Sequence, residues 1–264
     1  MRRATLAQAS GQAKARACLA CAAALAWHHL MRRPSRRAAL TLLASPAVLR
    51  VAGAQGPEEI DLALVLAVDC SSSIDEREYM LQRAGYAAAF RDQRLGRAIR
   101  GGSRGVVAVT LTQWAGPFEQ VQAIGWRAIR DEAGARGFAG EVAAMARQLT
   151  ASATSISGAI DHARQLLERS GYRAGRRVID VSGDGMNNTG RLPEYARNEA
   201  VARGIIINGL PILTEDPNLD DYYTDYVIGG LGAFMLPALN FGAFAQAILA
   251  KLLREVAGAP ASAA

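Results

Sequence analysis

Asp69, Ser71 and Ser73 stand at alternate positions, as D-x-S-x-S, at the end of the apolar run Leu62-Ala-Leu-Val-Leu-Ala-Val68. One carboxylate and two hydroxyls are hard oxygen donors suited to a magnesium-like cation. Asp and Ser also form ordinary turns, so this tripod alone is a moderate signal. Two later segments add donors of the same kind. Thr154-Ser-Ile-Ser-Gly-Ala-Ile160 is a hydroxyl-rich loop entering a helix, and Val178-Ile-Asp-Val-Ser-Gly-Asp-Gly185 is a second apolar run that ends in an Asp-Gly turn. Caps and turns could explain each segment by itself, but three separate segments would have to converge by accident. Two carboxylates neutralise a divalent ion while hydroxyl ligands add no charge, so such an ion stays electrophilic toward an external carboxylate.

The elements around these residues read as a doubly wound α/β sheet. The run at 61–68 predicts a buried parallel strand, and in such sheets ligands collect beyond the carboxyl ends of the strands. A helix over Ile74–Phe90 follows, opened by Asp75, Glu76 and Glu78, which favour the positive end of a helix dipole. Gly105–Thr112 reads as a strand with Phe118–Ile124 as its hairpin partner, then helical pieces over 127–149. A helix from Ser157 to Arg169, a strand at Arg177–Ser182 and a helix from Pro193 to Arg203 come next. The chain closes with strands at Gly204–Leu210 and Ala233–Leu236 and a helix over Phe241–Val256. That last helix reads as core-packing, with Lys251, Arg254 and Glu255 on its polar face.

The ordered set D-x-S-x-S, loop Thr154, then S-G-D-G resembles the von Willebrand factor type A domain and its metal-ion-dependent adhesion site, over roughly residues 60–256. Val178–Gly185, followed by Val227-Ile-Gly-Gly-Leu-Gly-Ala-Phe234, resembles a bacterial exported subfamily without an assigned function. The resemblance implies a three-layer α-β-α fold whose mostly parallel sheet has one antiparallel edge strand. It implies that Ser71 and Ser73 bind the metal directly, Thr154 directly or through water, and Asp69 and Asp184 largely through bound waters. Magnesium is the expected ion, with manganese or calcium as substitutes. The expected partner is a protein or peptide presenting an Asp or Glu carboxylate. The competing class is a metal-assisted hydrolase of the cell envelope, distinguished by turnover.

Composition narrows the choice. Residues 1–54 hold nine of the 30 basic residues and no acidic one, leaving 21 basic against 24 acidic residues, net −3, in the remainder. A mildly acidic domain gives no electrostatic case for nucleic acid. The basic segment reads as an export leader, with translation expected to start at Met31. Met31-Arg-Arg-Pro-Ser-Arg-Arg supplies the positive region, Ala38–Leu49 the apolar stretch and Ala52-Gly-Ala54 the cleavage site. Ser35-Arg36-Arg37-x-x-Leu40 favours twin-arginine export over the ordinary secretory route, to the periplasm or the exterior. The apolar stretch is short and broken by Pro46, so no stable membrane span is expected after cleavage. The mature domain then covers 55–258, with an Ala/Gly/Pro tail over 259–264 read as disordered. Cys18 and Cys21 lie in the leader, so Cys70 is left without a disulfide partner and is expected to turn away from the metal into the core.

Other polar residues have bland readings beside the sharp ones. Asp180 interrupts an apolar strand and needs a partner, with a nearby Arg expected. Asn187 and Asn188 suit turn chemistry. Asp216-x-Asn218-x-Asp220 begins like an EF-hand loop but fails at Asp221, where Gly is needed, and at Val227, where a bidentate Glu is needed. The stretch Thr214–Tyr226 reads as one acidic loop carrying Tyr222, Tyr223 and Tyr226. Enzyme readings are weak. Beyond the leader His162 is the sole histidine, expected as a surface or capping residue, and neither a G-x-S-x-G elbow nor a P-loop is present.

Overall fold

The computed structural model describes residues 56–258. The leader and the tail read from the sequence lie outside the described residues. At the centre is β1 (Glu58–Asp69), whose apolar run is buried on both faces and paired in parallel on both edges. On one side lies β2 (Val107–Trp114), followed by the antiparallel edge strand β3 (Gln120–Ile129). On the other lie β4 (Tyr172–Gly183) and β5 (Ile205–Pro211), so the order is β3-β2-β1-β4-β5. The mostly parallel sheet with one antiparallel edge is the expected one.

Helices cover both faces. One layer contains α1 (Glu76–Arg91), α2 (Gln93–Arg100), α3 (Glu132–Ala144) and, late in the chain, α7 (Phe244–Ala257). The other contains α4 (Ile156–Glu168), α5 (Pro193–Val201) and the short α6 (Leu219–Tyr222). Asp75 starts α1 through a capping box with Glu78, and Asp131 starts α3 by accepting from the Gly134 N–H. After β1 the chain winds toward β2, and after α4 it returns to the far side of β1 through β4. The carboxyl ends of β1 and β4 therefore flank the switch in winding direction, where a crevice forms.

Three readings need correction. The strand expected at Ala233–Leu236 is reduced to isolated bridges from Met235 and Ala238 to the edge of β5. Gly229, Gly230 and Gly232 before it and Pro237 after it leave too short a run for a ladder. Residues 214–226 are not one loop. They form α6 and a π-helical turn, Tyr223–Val227, because Leu219, Tyr223 and Val227 recur at helical spacing and are buried. The polar face assigned to α7 is partly internal. Lys251 and Glu255 are fully buried, with Lys251 Nζ 2.6 Å from Asp180 Oδ1 and 2.9 Å from Glu255 Oε1. The Asn208 side-chain amide donates to Glu255 Oε1 at 2.7 Å. The partner of Asp180 is thus a lysine on α7 and not an arginine. Burial pulls the Lys251 ammonium down, but Asp180 and Glu255 outweigh that and hold it above the ordinary lysine range.

Candidate metal centre

Asp69 is the last residue of β1, and the chain turns sharply beyond it. Its Oδ1 accepts the Ser71 N–H at 2.7 Å, an Asx turn that folds the two serines back over the strand end. Ser71 Oγ and Ser73 Oγ are 3.1 Å apart, and Ser73 Oγ donates to Asp184 Oδ1 at 2.8 Å. Asp69, Ser71 and Asp184 are buried while Ser73 is exposed, so this chain of oxygens runs from the interior to the surface. Arg147 closes one side by donating to the carbonyls of Cys70 at 3.1 Å and Ser71 at 3.0 Å. Gln82, also buried, donates to the Asp69 carbonyl at 3.4 Å.

Thr154 joins through backbone. Its N–H donates to Asn188 Oδ1 and its carbonyl accepts the Asn188 N–H, both at 2.9 Å. Asn187 Oδ1 accepts the Ser157 N–H at 3.2 Å in the first turn of α4. The two asparagines therefore lace the Thr154 loop to the segment after Asp184, a long-range role beside the local turn chemistry expected, which Asn187 also shows by donating to the Thr189 carbonyl at 2.9 Å. No hydrogen bond among the described residues uses the Thr154 hydroxyl. The structure thus links Ser71, Ser73 and Asp184 side chain to side chain, joins Asp69 to them through the Ser71 backbone N–H, and fixes Thr154 beside the same loop.

The electrostatics are those of two carboxylates short of counter-charge. Burial, followed by the charge of Asp184, pushes the Asp69 carboxyl up to about 7, against hydrogen bonds from Ser71 and the more remote Arg147. Burial likewise raises Asp184, with Glu78 and Glu215 adding repulsion and Ser73 opposing it. Asp69 Oδ2 and Asp184 Oδ2 have no partner among the described residues. A buried carboxylate oxygen left bare is costly, and a hard divalent cation with its waters would meet both. Among the described residues no three His, Cys, Asp or Glu side chains gather as a metal-binding group; the oxygens beside Asp69 and Asp184 are the hydroxyls of Ser71 and Ser73. The residues present fit a magnesium-like ion.

Two further groups at this place escaped the sequence reading. The Tyr223 hydroxyl and the Trp114 indole N–H are buried and without partners. Cys70 behaves as expected: fully buried in the α1 layer, with burial pushing its thiol up to about 12. His162 is half-buried on α4, its ring nitrogen Nε2 is unpartnered, and burial lowers its pKa. Asp216 makes a local turn, accepting the Asn218 N–H at 2.9 Å.

This sheet order, with helices on both faces and a crevice beyond β1 and β4, is the α/β fold of von Willebrand factor type A domains. The chain belongs to the family described as a protein of unknown function (DUF1194), whose sequence profile matches residues 59–260. No curated protein matches it. Among solved structures it is similar to proximal thread matrix protein 1 from the mussel byssus, at 13% identity and a TM-score of 0.56, covering 75% of this chain and 49% of that one. A form of that protein with a zinc-occupied metal-ion-dependent adhesion motif matches with a TM-score of 0.53 at 13% identity, covering 76% and 49%. The pilus adhesin SpaC from Lactobacillus rhamnosus GG matches with a TM-score of 0.50 at 11% identity, covering 76% and 31%. The chain spans half or less of the length of these proteins. At such identities the likeness is one of fold alone.

Proposed function

We propose that the chain is an exported module that binds a protein or peptide through a partner Asp or Glu carboxylate, in a cation-dependent manner and without turnover. Asp69 and Asp184 carry the reading: two buried carboxylates, each with an unpartnered oxygen, linked through Ser71 and Ser73 to the surface. When bound, a divalent cation such as magnesium, or manganese or calcium in its place, supplies the electrophilic position that a partner carboxylate needs. Ser71, Ser73 and Thr154 are the candidates to hold it directly, and Asp69 and Asp184 to hold it through water. Hydroxyls bring no charge, so the two aspartates supply all the neutralisation and leave no excess to repel an incoming carboxylate. Exposed Ser73 sets where the partner enters, and the Asn187–Asn188 lacing keeps Thr154 in place during the exchange.

Export is read from the twin-arginine-like leader. No described helix is long and apolar enough to cross a membrane. The fold's occurrence in a pilus adhesin and a byssus matrix protein supports an adhesive role outside the cytoplasm. The test is capture from envelope and extracellular extracts by the purified protein in magnesium, in EDTA, and with Asp69→Ala. A partner retained only by the wild type in magnesium supports the reading. Equal capture in all three would sink it, and cation-dependent consumption of the captured molecule would favour the hydrolase.

A further inference from the structure

Tyr223 sits where nothing in the D-x-S-x-S, Thr, Asp pattern places a residue. Its ring is fully buried between Leu219 and Val227 in the α4 and α5 layer, within the π-helical turn that follows α6. Isolated π turns recur at functional sites. Its hydroxyl points at the strand ends. A methyl group on Gly183 would lie 2.7 Å from Asp69 Oδ2, 3.1 Å from the Tyr223 hydroxyl oxygen and 3.2 Å from Cζ2 of Trp114. The carboxylate oxygen, the phenol and the indole edge therefore surround one small space, which exists because residue 183 has no side chain.

The hydrogen-bonding inventory of that space is unbalanced in a complementary way. Asp69 Oδ2 and Asp184 Oδ2 are acceptors without donors, while Tyr223 and Trp114 carry donors without acceptors. Each such buried group is costly when left unmet. Asp69 Oδ2 and the Tyr223 hydroxyl meet at one place beside the Trp114 ring, an acceptor next to a donor. The neighbouring residue completes the picture: the Tyr222 hydroxyl accepts the Asn187 N–H at 3.3 Å, on the loop that follows Asp184. Two consecutive residues of one turn thus reach both aspartate-bearing strand ends.

We propose that Tyr223 is a positioning residue of the cation site, its hydroxyl donating to Asp69 Oδ2 directly or through one water and so turning that carboxylate toward Ser71 and Ser73. Through Tyr222 and Tyr223 the acidic segment 215–227 becomes a third wall of the site, and its order follows the occupancy of the site. The inference rests on the cation-dependent reading above.

The test is Tyr223→Phe, with Mg2+ affinity measured by calorimetry and Mn2+ affinity by electron paramagnetic resonance on the purified chain. Loss of an orienting partner of this kind costs roughly 10- to 100-fold in metal affinity. A cooperative melt in EDTA should show that Tyr223→Phe still folds, so that a lost affinity is read at the site. Magnesium should slow amide exchange across 219–228 in the wild type and not in the variant, and Tyr195→Phe, at an exposed ring on α5, should keep wild-type affinity. If Tyr223→Phe does not fold, Gly183→Ala carries the test by filling the shared space, with the same loss of affinity expected. An affinity within twofold of wild type, or an equal loss in Tyr195→Phe, overturns the assignment. If the wild type takes up no cation, the cation-dependent reading itself falls, an outcome distinct from a wild type and a Tyr223→Phe variant that bind equally.

Discussion

The sheet buries carboxylates in two places and treats them differently. Three residues before the end of β4, Asp180 faces Lys251, which also meets Glu255, and Asn208 completes the set. At the carboxyl ends, Asp69 and Asp184 have hydroxyls and backbone amides but no ammonium or guanidinium on their oxygens. Arg147 comes near, yet spends its donors on carbonyls. In the first place the chain encodes its own counter-ion, and the result is a structural joint between β4, β5 and α7. In the second the chain encodes none, and that is the ground on which we propose a cation site there. Burial alone does not separate the two; the source of the compensating charge does.

The comparison breaks most sharply at Lys251. Lys251→Met leaves Asp180 uncompensated in the interior, and the expected loss is about 3–5 kcal/mol in denaturant unfolding, unrelieved by magnesium. Relief by magnesium would mean that the two places are interchangeable.

Next in size is pH. Asp69 titrates near 7 when folded and near 4 when unfolded, so between these values the native state holds a proton that the unfolded state has released. Stability in EDTA should therefore fall as pH rises from about 4 to 7, by up to ~4 kcal/mol, and level off above. Saturating magnesium should flatten this decline, and Asp69→Asn should remove much of it while abolishing the thermal shift by magnesium. Thermal unfolding across pH with and without chelator checks all three. A Tm in EDTA that rises over the window would contradict the assignment.

The smallest effect belongs to Asn188→Ala, which removes the acceptor of the Thr154 N–H. About 1–2 kcal/mol of stability and a weaker magnesium response are expected, measured by melting with and without the ion. An unchanged response would separate Thr154 from the site.

Much of this was legible because the signals are short-range. Apolar runs of parallel-strand type at Leu62–Val68 and Val178–Val181 fix the sheet's centre, and D-x-S-x-S marks the proposed ligands by position at a strand end. The unread parts depend on distant burial. Lys251 and Glu255, four apart on an amphipathic helix, look like a solvated pair until Asp180, some 70 positions earlier, is placed beneath them. Leu219, Tyr223 and Val227 carry a clear helical period, but they are interleaved with Asp220, Asp221 and Asp225, and the acidity masks the pattern. The early part of β4, Tyr172–Arg176, escapes because its polar alternation marks a strand only once β1 is known to extend beside it.

Cys70 stands between the proposed ligands Asp69 and Ser71, yet its sulfur is sealed on the opposite, α1 side of the sheet. Solvent can meet it only when the strand-end turn itself lifts. The rate at which a thiol reagent captures this one sulfur is therefore a clock for the opening of the turn, built into the chain at the position where the clock is wanted.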